Sequence, residues 1–279
     1  MTEADAGVEE PAPAKINLAL HVTGQRADGY HLLDSLVAFA DVGDRVTVRP
    51  AARTSLRVTG PMADGVPAGA ENAVLRAAAL IGVGAGITLD KHLPAAAGIG
   101  GGSSDAAATL RALARLAGIA VPGDVLPLGA DVPVCLLARV ARMRGIGEAV
   151  EPVEGLPALD AVLVNPRLPV ATPGVFARLK CRENAGMPEV FPRWRDGAEC
   201  ARWLAMQRND LEAPARALCP EIGAVLDCLR AGAACALARM SGSGATCFGL
   251  YPDAGTAGTE AARIAAERPD WWVVATRLR

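Results

Sequence analysis

Leu93-Pro94-Ala95-Ala96-Ala97-Gly98-Ile99-Gly100-Gly101-Gly102-Ser103-Ser104-Asp105-Ala106-Ala107-Ala108 is the stretch whose reading decides the fold. Four glycines in five residues remove Cβ atoms, so backbone N–H groups can turn inward and approach a ligand closely. Two serines follow, and then an alanine-rich run to Ala117 that predicts a good helix. Glycine loop, hydroxyls and helix N-terminus together suit an anion, above all a nucleotide phosphate. A Walker loop is excluded because Gly102-Ser103-Ser104 lacks the lysine it requires. A dinucleotide-binding turn is excluded as well: Leu93-Pro94 and three alanines precede the glycines, and residues 118–130 offer no strand ending in an acid. The plain alternative, a tight turn before a packing helix, leaves the entropic cost of four close glycines without a reason.

Working outward, the 279 residues suffice for two lobes around a substantial core. Half of them are apolar and the net charge is −2, so no field gathers nucleic acid or an anionic membrane. No apolar run approaches the roughly 18–20 residues of a membrane span, and no secretory pattern opens the chain. The expected setting is cytoplasmic, with small-molecule partners and a monomer or weak homodimer. The acidic start, Thr2 to Glu10, reads as a frayed tail. Seven cysteines without a CxxC spacing read as reduced thiols. With histidines only at 21, 31 and 92, no protein metal site is expected.

Only three of the 28 basic residues are lysines: Lys15, Lys91 and Lys180. A lysine kept in so arginine-biased a chain points to a need for a compact ammonium. Lys15-Ile16-Asn17-Leu18-Ala19-Leu20 alternates like a strand, with Lys15, Asn17 and Ala19 on one face. That face is either a solvated sheet surface or the wall of a pocket. The Asp28-Gly29 turn delivers Tyr30 and His31, and Tyr30 is a candidate for stacking on a planar ligand or for packing. Strands are expected at 32–40 and 45–49, separated by a turn at Asp41-Val42-Gly43-Asp44, and another at 56–59. A helix is expected from Glu71-Asn72 to Ile81 and a strand at 87–91.

Further on, Asp131 stands in Gly129-Ala130-Asp131-Val132-Pro133, either as a helix cap or as a partly buried base. Ala141 to Glu148 reads as a second glycine-punctuated loop, and a lobe boundary is placed near residue 152. Beyond it come a strand at 161–164 and a short helix with Thr172 as cap and Pro173 in its first turn. Helices at 199–206, 221–231 and 256–267 follow, with a final strand at 271–276. Between them, Met240-Ser241-Gly242-Ser243-Gly244-Ala245-Thr246 forms a small-residue turn between two strands, suited to lie tightly against a substrate or the first glycine loop.

Pro94 to Ala108 resembles the phosphate-binding motif of the GHMP kinases. Pro13-Ala14-Lys15-Ile16-Asn17-Leu18 resembles their N-terminal motif, and residues 240–246 their C-terminal one, in the expected order. Residues 25–31, Gly129 to Pro133 and Arg144-Gly145-Ile146-Gly147-Glu148 resemble the branch acting on a cytidine-diphosphate-linked methylerythritol in the non-mevalonate isoprenoid pathway. The resemblance implies an α+β, two-lobed GHMP kinase fold: an N-terminal lobe, 1–152, of the ribosomal protein S5 domain 2-like type, and a ferredoxin-like C-terminal lobe, 153–279. It implies ATP with Mg2+, with donor and substrate meeting between the lobes. Asp131 is implied as the base and Lys15 as its orienting cation. Pro94, Ala95, Ala96, Ala97, Gly98, Ile99, Gly100, Gly101, Gly102, Ser103 and Ser104 are implied to hold ATP phosphates, with Asn72 and Lys91 near base and ribose. Tyr30 and Phe176 are implied to stack on cytidine and His31 to read its edge. Asn17 and Thr172 are implied to touch the erythritol or diphosphate portion, and Gly242, Ser243 and Gly244 to lie against substrate. The readings left open are another GHMP small-molecule kinase, of mevalonate or homoserine type, and a nucleotide-binding protein without catalysis.

Overall fold

The computed structural model describes residues 7–232 and 234–279. Its contacts divide the chain into two compact units, one of residues 1–14, 42–95 and 100–138, the other of 15–41, 96–99 and 139–279. This grouping differs from a division at residue 152, because two long strands serve both units. They are β1 (Val8–Gln25) and β2 (His31–Pro50), which pair with each other.

In the first unit, β3 (Ser55–Thr59) lies parallel to β4 (Ala85–Asp90), and β4 runs antiparallel to the end of β2, from Arg45 opposite Asp90 to Pro50 opposite Ala85. Two helices pack together over this sheet: α1 (Ala73–Ile81) and α2 (Gly101–Ala117). Asn72 caps α1 by accepting the Val74 N–H at 2.8 Å, and Gly82 ends it in the left-handed region at φ 73°. The alanine run of α2 is buried from Ala106 to Ala108 and again at Ala112, so small side chains let the helix lie close to Val46, Val48, Ile87 and Leu89. A short α3 (Val132–Leu137) packs on α2.

The segment 41–44 is strand, not a turn. A Cβ at Gly43 would stand 2.5 Å from the Ala12 carbonyl oxygen, so this glycine serves the close approach of β1 and β2. The start of the chain also differs from the frayed-tail expectation. Val8 to Glu10 belong to β1, and Glu10 holds Arg111 at 3.0 Å and Arg115 at 2.9 Å; Thr2 to Ala6 lie outside the described residues.

In the second unit, β7 (Leu159–Asn165) is flanked by antiparallel β10 (Trp272–Leu278) and β9 (Cys247–Tyr251), and β9 by β8 (Leu237–Met240). Val162 and Val164 of β7 share a core with Ile222, Val225, Leu226 and Leu229 of α7 (Glu221–Arg230) and Ile264 of α8 (Ala254–Glu267). The expected loop at 141–148 is instead a hairpin of β5 (Ala141–Gly145) and β6 (Ala149–Pro152), with β5 on the first half of β2. Alternation of small and polar residues hides the strand there. Thr172 is the first residue of α4 (Thr172–Ala177), not its cap; Ala171 takes that position. The remaining helices are α5 (Gly197–Ala205) and α6 (Glu212–Leu218), the latter not foreseen. The seven cysteines form no disulfide among the described residues, and burial pushes the Cys200 thiol up to about 12. No described helix is long and apolar enough to cross a membrane.

A buried ion pair ties this unit together. The Arg142 guanidinium on β5 grips Asp34 of β2 in a two-pronged contact of 2.8 and 2.7 Å, and donates also to the Met187, Pro188 and Glu189 carbonyls. Asp34 accepts the Met187 N–H at 2.7 Å. Removing one partner strands a buried charge, which typically costs about 3–5 kcal/mol. Asp34→Ala is expected to lower unfolding stability by that amount in urea titration; a loss below about 1 kcal/mol would contradict the reading.

Candidate active site

Within the second unit, three segments far apart in sequence are sewn to one another by the backbone. The Lys15 N–H donates to the Ile99 carbonyl at 2.9 Å, and the Thr246 N–H to the Ala97 carbonyl at 3.1 Å. The Ser241 hydroxyl donates to the Gly98 carbonyl at 3.0 Å while accepting the Asn17 N–H at 3.0 Å. Two glycines permit the contact. A Cβ at Gly98, where φ is 71°, would lie 2.6 Å from the Gly244 carbonyl oxygen, and a Cβ at Gly242 would lie 2.6 Å from the Gly98 carbonyl oxygen. Ala96 also takes a left-handed φ of 50°, although it has a Cβ.

The strand carrying Lys15 and Asn17 is buried on both faces, which overturns the solvated-surface reading. Lys15 is 3% exposed and Asn17 fully buried. The Asn17 amide donates to the Ser35 hydroxyl at 2.7 Å, which donates on to the Ala19 carbonyl; Asn17 Oδ1 is a buried acceptor with no hydrogen-bond partner among the described residues. Gly242, Ser243 and Gly244 are engaged in their own loop. The Gly242 carbonyl accepts from Asn209, the Gly244 N–H donates to Ser241, and the Ser243 hydroxyl lies 2.7 Å from that of Thr172.

Also in this unit, the His31 ring stacks on Phe176, with centroids 4.7 Å apart and planes 24° apart. Burial, and then Arg182, lower the His31 pKa, so the imidazole is neutral at neutral pH; its Nε2 is buried without a hydrogen-bond partner among the described residues. Tyr30 is 58% exposed. An exposed aromatic, a stacked pair and an unused ring nitrogen together suit a planar heterocycle.

The first unit holds the helix end of the glycine loop. Gly100 occupies the N-cap of α2 at φ 65° and brings no capping side chain. The first N–H groups of a helix have no intrahelical acceptor, so Gly101, Gly102 and Ser103 present donors at the positive end of a 17-residue helix. Ser104 turns inward: its hydroxyl donates to the Pro13 carbonyl at 2.6 Å, so its side chain anchors the helix. Ser103 faces the Gly129 turn, where a Cβ on Gly129 would lie 3.6 Å from its Oγ. Two residues on, Asp131 stands half-buried at the N-cap of α3, and its side chain does not make the capping hydrogen bond. A carboxylate and a row of amide donors thus occupy neighbouring parts of one unit.

Asn72 and Lys91, implied to lie near base and ribose, make their side-chain contacts within the protein. The Asn72 amide accepts from Val74 and donates to the Pro67 carbonyl at 2.5 Å, so both its ends serve the start of α1. Lys91 is 3% exposed, with its ammonium between the Asp44 and Asp105 carboxylates, the latter 3.0 Å away. Asp44 accepts the His92 and Leu93 N–H groups at 2.6 and 2.8 Å, clamping the chain as it enters the loop. Desolvation would lower the Lys91 pKa, but the two carboxylates raise it. Desolvation pushes Asp105 up to about 7 against the pull of Lys91.

Several supports of the site were not foreseen. Asn209 donates to the Met240 and Gly242 carbonyls at 2.8 and 2.9 Å, and buried Arg239 donates to the Leu18, Leu204 and Gln207 carbonyls. Burial brings the Arg239 pKa down to about 10, with Glu212 opposing. The signal for Arg239 was a lone cation in an otherwise apolar strand, and for Asp105 a lone acid opening an alanine helix.

Alanine substitutions separate the two halves of the loop. Gly98→Ala is expected to destabilise the protein by about 2 kcal/mol or more, because its Cβ meets backbone and its φ is left-handed. Gly102→Ala is expected to raise stability by up to about 1 kcal/mol, because it is helical and the nearest atom to its Cβ, on Ala73, is 4.0 Å away. Thermal unfolding of the two variants without ligand checks both; equal Tm values would refute the distinction.

The family GHMP kinases N terminal domain matches residues 68–139, and GHMP kinases C terminal matches 190–270. The 4-diphosphocytidyl-2-C-methyl-D-erythritol kinase of Dinoroseobacter shibae is 59% identical over 96% of this chain and 94% of its own. That of Ruegeria pomeroyi is 56% identical over 97% and 99%. A crystal structure of 4-(cytidine 5'-diphospho)-2C-methyl-D-erythritol kinase superposes with a TM-score of 0.77 at 36% identity, covering 97% of this chain and 98% of that one. The structure of L. major mevalonate kinase in complex with R-mevalonate shares the fold alone, with a TM-score of 0.66 at 16% identity over 100% of this chain and 98% of its own. With glycine loop, Gly-Ala-Asp turn and Ser-Gly-Ser-Gly turn all in place, the chain belongs to the 4-diphosphocytidyl-2-C-methyl-D-erythritol kinase family of the GHMP kinases.

Proposed function

We propose that the chain transfers the γ-phosphoryl group of ATP to the 2-hydroxyl of 4-(cytidine 5'-diphospho)-2-C-methyl-D-erythritol, giving the 2-phosphate and ADP. The setting is the cytoplasmic non-mevalonate route to isopentenyl diphosphate, and the protein acts as a monomer or weak homodimer. The observation that carries this reading is the nearly full-length identity with kinases of that name, joined to the mutual binding of Lys15, Ala97 to Ile99 and Ser241 to Thr246.

Phosphoryl transfer asks little covalent chemistry of a protein, so positioning and charge dominate. The amides of Gly101, Gly102 and Ser103 receive the nucleotide phosphates at the start of α2, and Ala96 to Gly100 shape the loop leading to them. Asp131 accepts the proton of the attacking hydroxyl. Lys15 offsets the charge of base and moving phosphoryl, a role suited to a compact ammonium. Tyr30 and Phe176 flank the cytosine and neutral His31 reads its edge, while Asn17 and Thr172 face the methylerythritol diphosphate. Asn72 and Lys91 act through the shape of the loop. Mg2+ bound with the nucleotide would offset the charge of its phosphates. Among the described residues no group of three or more His, Cys, Asp or Glu is arranged for a metal ion.

Coupled measurement of ADP release with the cytidine substrate tests the reading; turnover of mevalonate or homoserine instead would overturn it. Asp131→Asn is expected to lower kcat by about 10²–10⁴-fold with nucleotide affinity nearly unchanged. Unaltered turnover would remove Asp131 as the base. Tyr30→Ala is expected to raise KM for the cytidine substrate about 5–150-fold, since a stacked base is worth roughly 1–3 kcal/mol. A rise confined to ATP would reverse the two pockets.

A further inference from the structure

Three ionisable groups lie sealed behind the first turn of α2, and they do not balance. Lys91 supplies one positive charge; Asp44 and Asp105 supply two carboxylates, and all three residues are 3% exposed. Asp44 is committed, accepting two backbone N–H groups and the ammonium. Asp105 meets the ammonium on Oδ2 and has the Asp44 carboxyl as its neighbour; its Oδ1 is buried without a hydrogen-bond partner among the described residues. The surplus negative charge therefore resides on Asp105. A Cβ on Gly101 would lie 3.4 Å from the Lys91 ammonium and 4.0 Å from Asp44 Oδ2, so the cluster abuts the amides that face an incoming anion.

We infer that binding of a polyphosphate at the start of α2 drives Asp105 to take up a proton, so that this buried cluster couples nucleotide affinity to pH. The inference rests on the assignment of that helix end to the ATP phosphates. A new negative charge roughly 8 Å away, at an effective dielectric constant of about 20, raises a carboxylic pKa by about one to two units. Desolvation already holds Asp105 at about 7, so the shift crosses neutral pH. A proton on Asp105 leaves one ammonium and one carboxylate, and the net buried charge vanishes. The charges acting on Asp105 are Lys91, from the segment after β4, and Asp44, from β2. Of the other elements around α2, α1 is preceded by Glu71 and carries Arg76, which donates to the Pro127 carbonyl, and α3 opens on Asp131. On α2 itself Arg111 and Arg115 reach Glu10 of β1, and the His92 ring pairs with Asp90.

Titration calorimetry of the full chain with a non-hydrolysable ATP analogue and Mg2+, in two buffers of different ionisation enthalpy, reads proton uptake directly. At pH 7.5 the wild type is expected to take up roughly half a proton more per nucleotide than Asp105→Asn. Its affinity is expected to weaken about 10-fold relative to that variant between pH 7 and pH 9. The variant minus wild-type difference removes the ionisation of the nucleotide itself and of Asp131. Asparagine keeps an acceptor for Lys91, and the wild-type uptake is measurable even where the variant does not fold. Binding with no uptake by the wild type, or with equal uptake by both proteins, overturns the inference and leaves the phosphate site standing. No binding by the wild type overturns the phosphate site itself.

Discussion

The Ser241 hydroxyl, giving to the Gly98 carbonyl and taking from the Asn17 N–H, is the contact on which the second unit's share of the site depends. It joins three segments separated by more than 220 positions at the extremes, between Asn17 and Ser241. A hydroxyl that both donates and accepts is fixed in direction by its two partners, and it satisfies two buried backbone groups at once. Around it the tolerance is small: Gly98 and Gly242 approach each other so closely that neither admits a methyl group. Second-tier groups then hold the turn itself, with Asn209 on the Met240 and Gly242 carbonyls and Asn165 on the Thr246 hydroxyl at 2.8 Å.

The first unit solves a different problem, that of presenting unpaired amides without letting the helix start drift. Ser104 anchors the first turn to β1 through Pro13, and Asp44 holds the incoming chain through two N–H groups. The same Asp44 shares Lys91 with Asp105, so the device that fixes the backbone also stores a buried charge. A rigid donor array suits electrostatic catalysis, because the dipoles need no reorganisation when charge moves. The cluster behind it makes the array's affinity for anions a function of proton occupancy.

Much of the architecture was legible from local chemistry. The α1 cap at Asn72, its stop at Gly82, the long α2 and the strands flanking Ser241 to Thr246 all follow from residues within a few positions of one another. Misreadings fell where a residue answers a distant partner. Gly43 reads as a turn residue because composition does not reveal the Ala12 carbonyl against it. Thr172 reads as a cap because the Ser243 hydroxyl that occupies it lies 71 positions away. Lys91 sits between two carboxylates 47 and 14 residues off, which no local pattern reveals.

Sequence alone points to a phosphate-binding glycine loop and to Lys15 and Asp131 as chemical candidates, because residue types and short spacings are recorded in one dimension; the heterocycle roles of Tyr30, His31 and Phe176 are what the resemblance to the GHMP kinases implies. Only the tertiary structure decided which half of the loop is braced and which half is open. The Ala97 and Gly98 carbonyls are consumed by Thr246 and Ser241, whereas the amides that follow Gly100 begin a helix and have no intrahelical acceptor. Tertiary structure likewise decided that Asn72, Ser104 and Lys91 shape the loop, because a buried polar group goes to whichever partner the fold brings within reach.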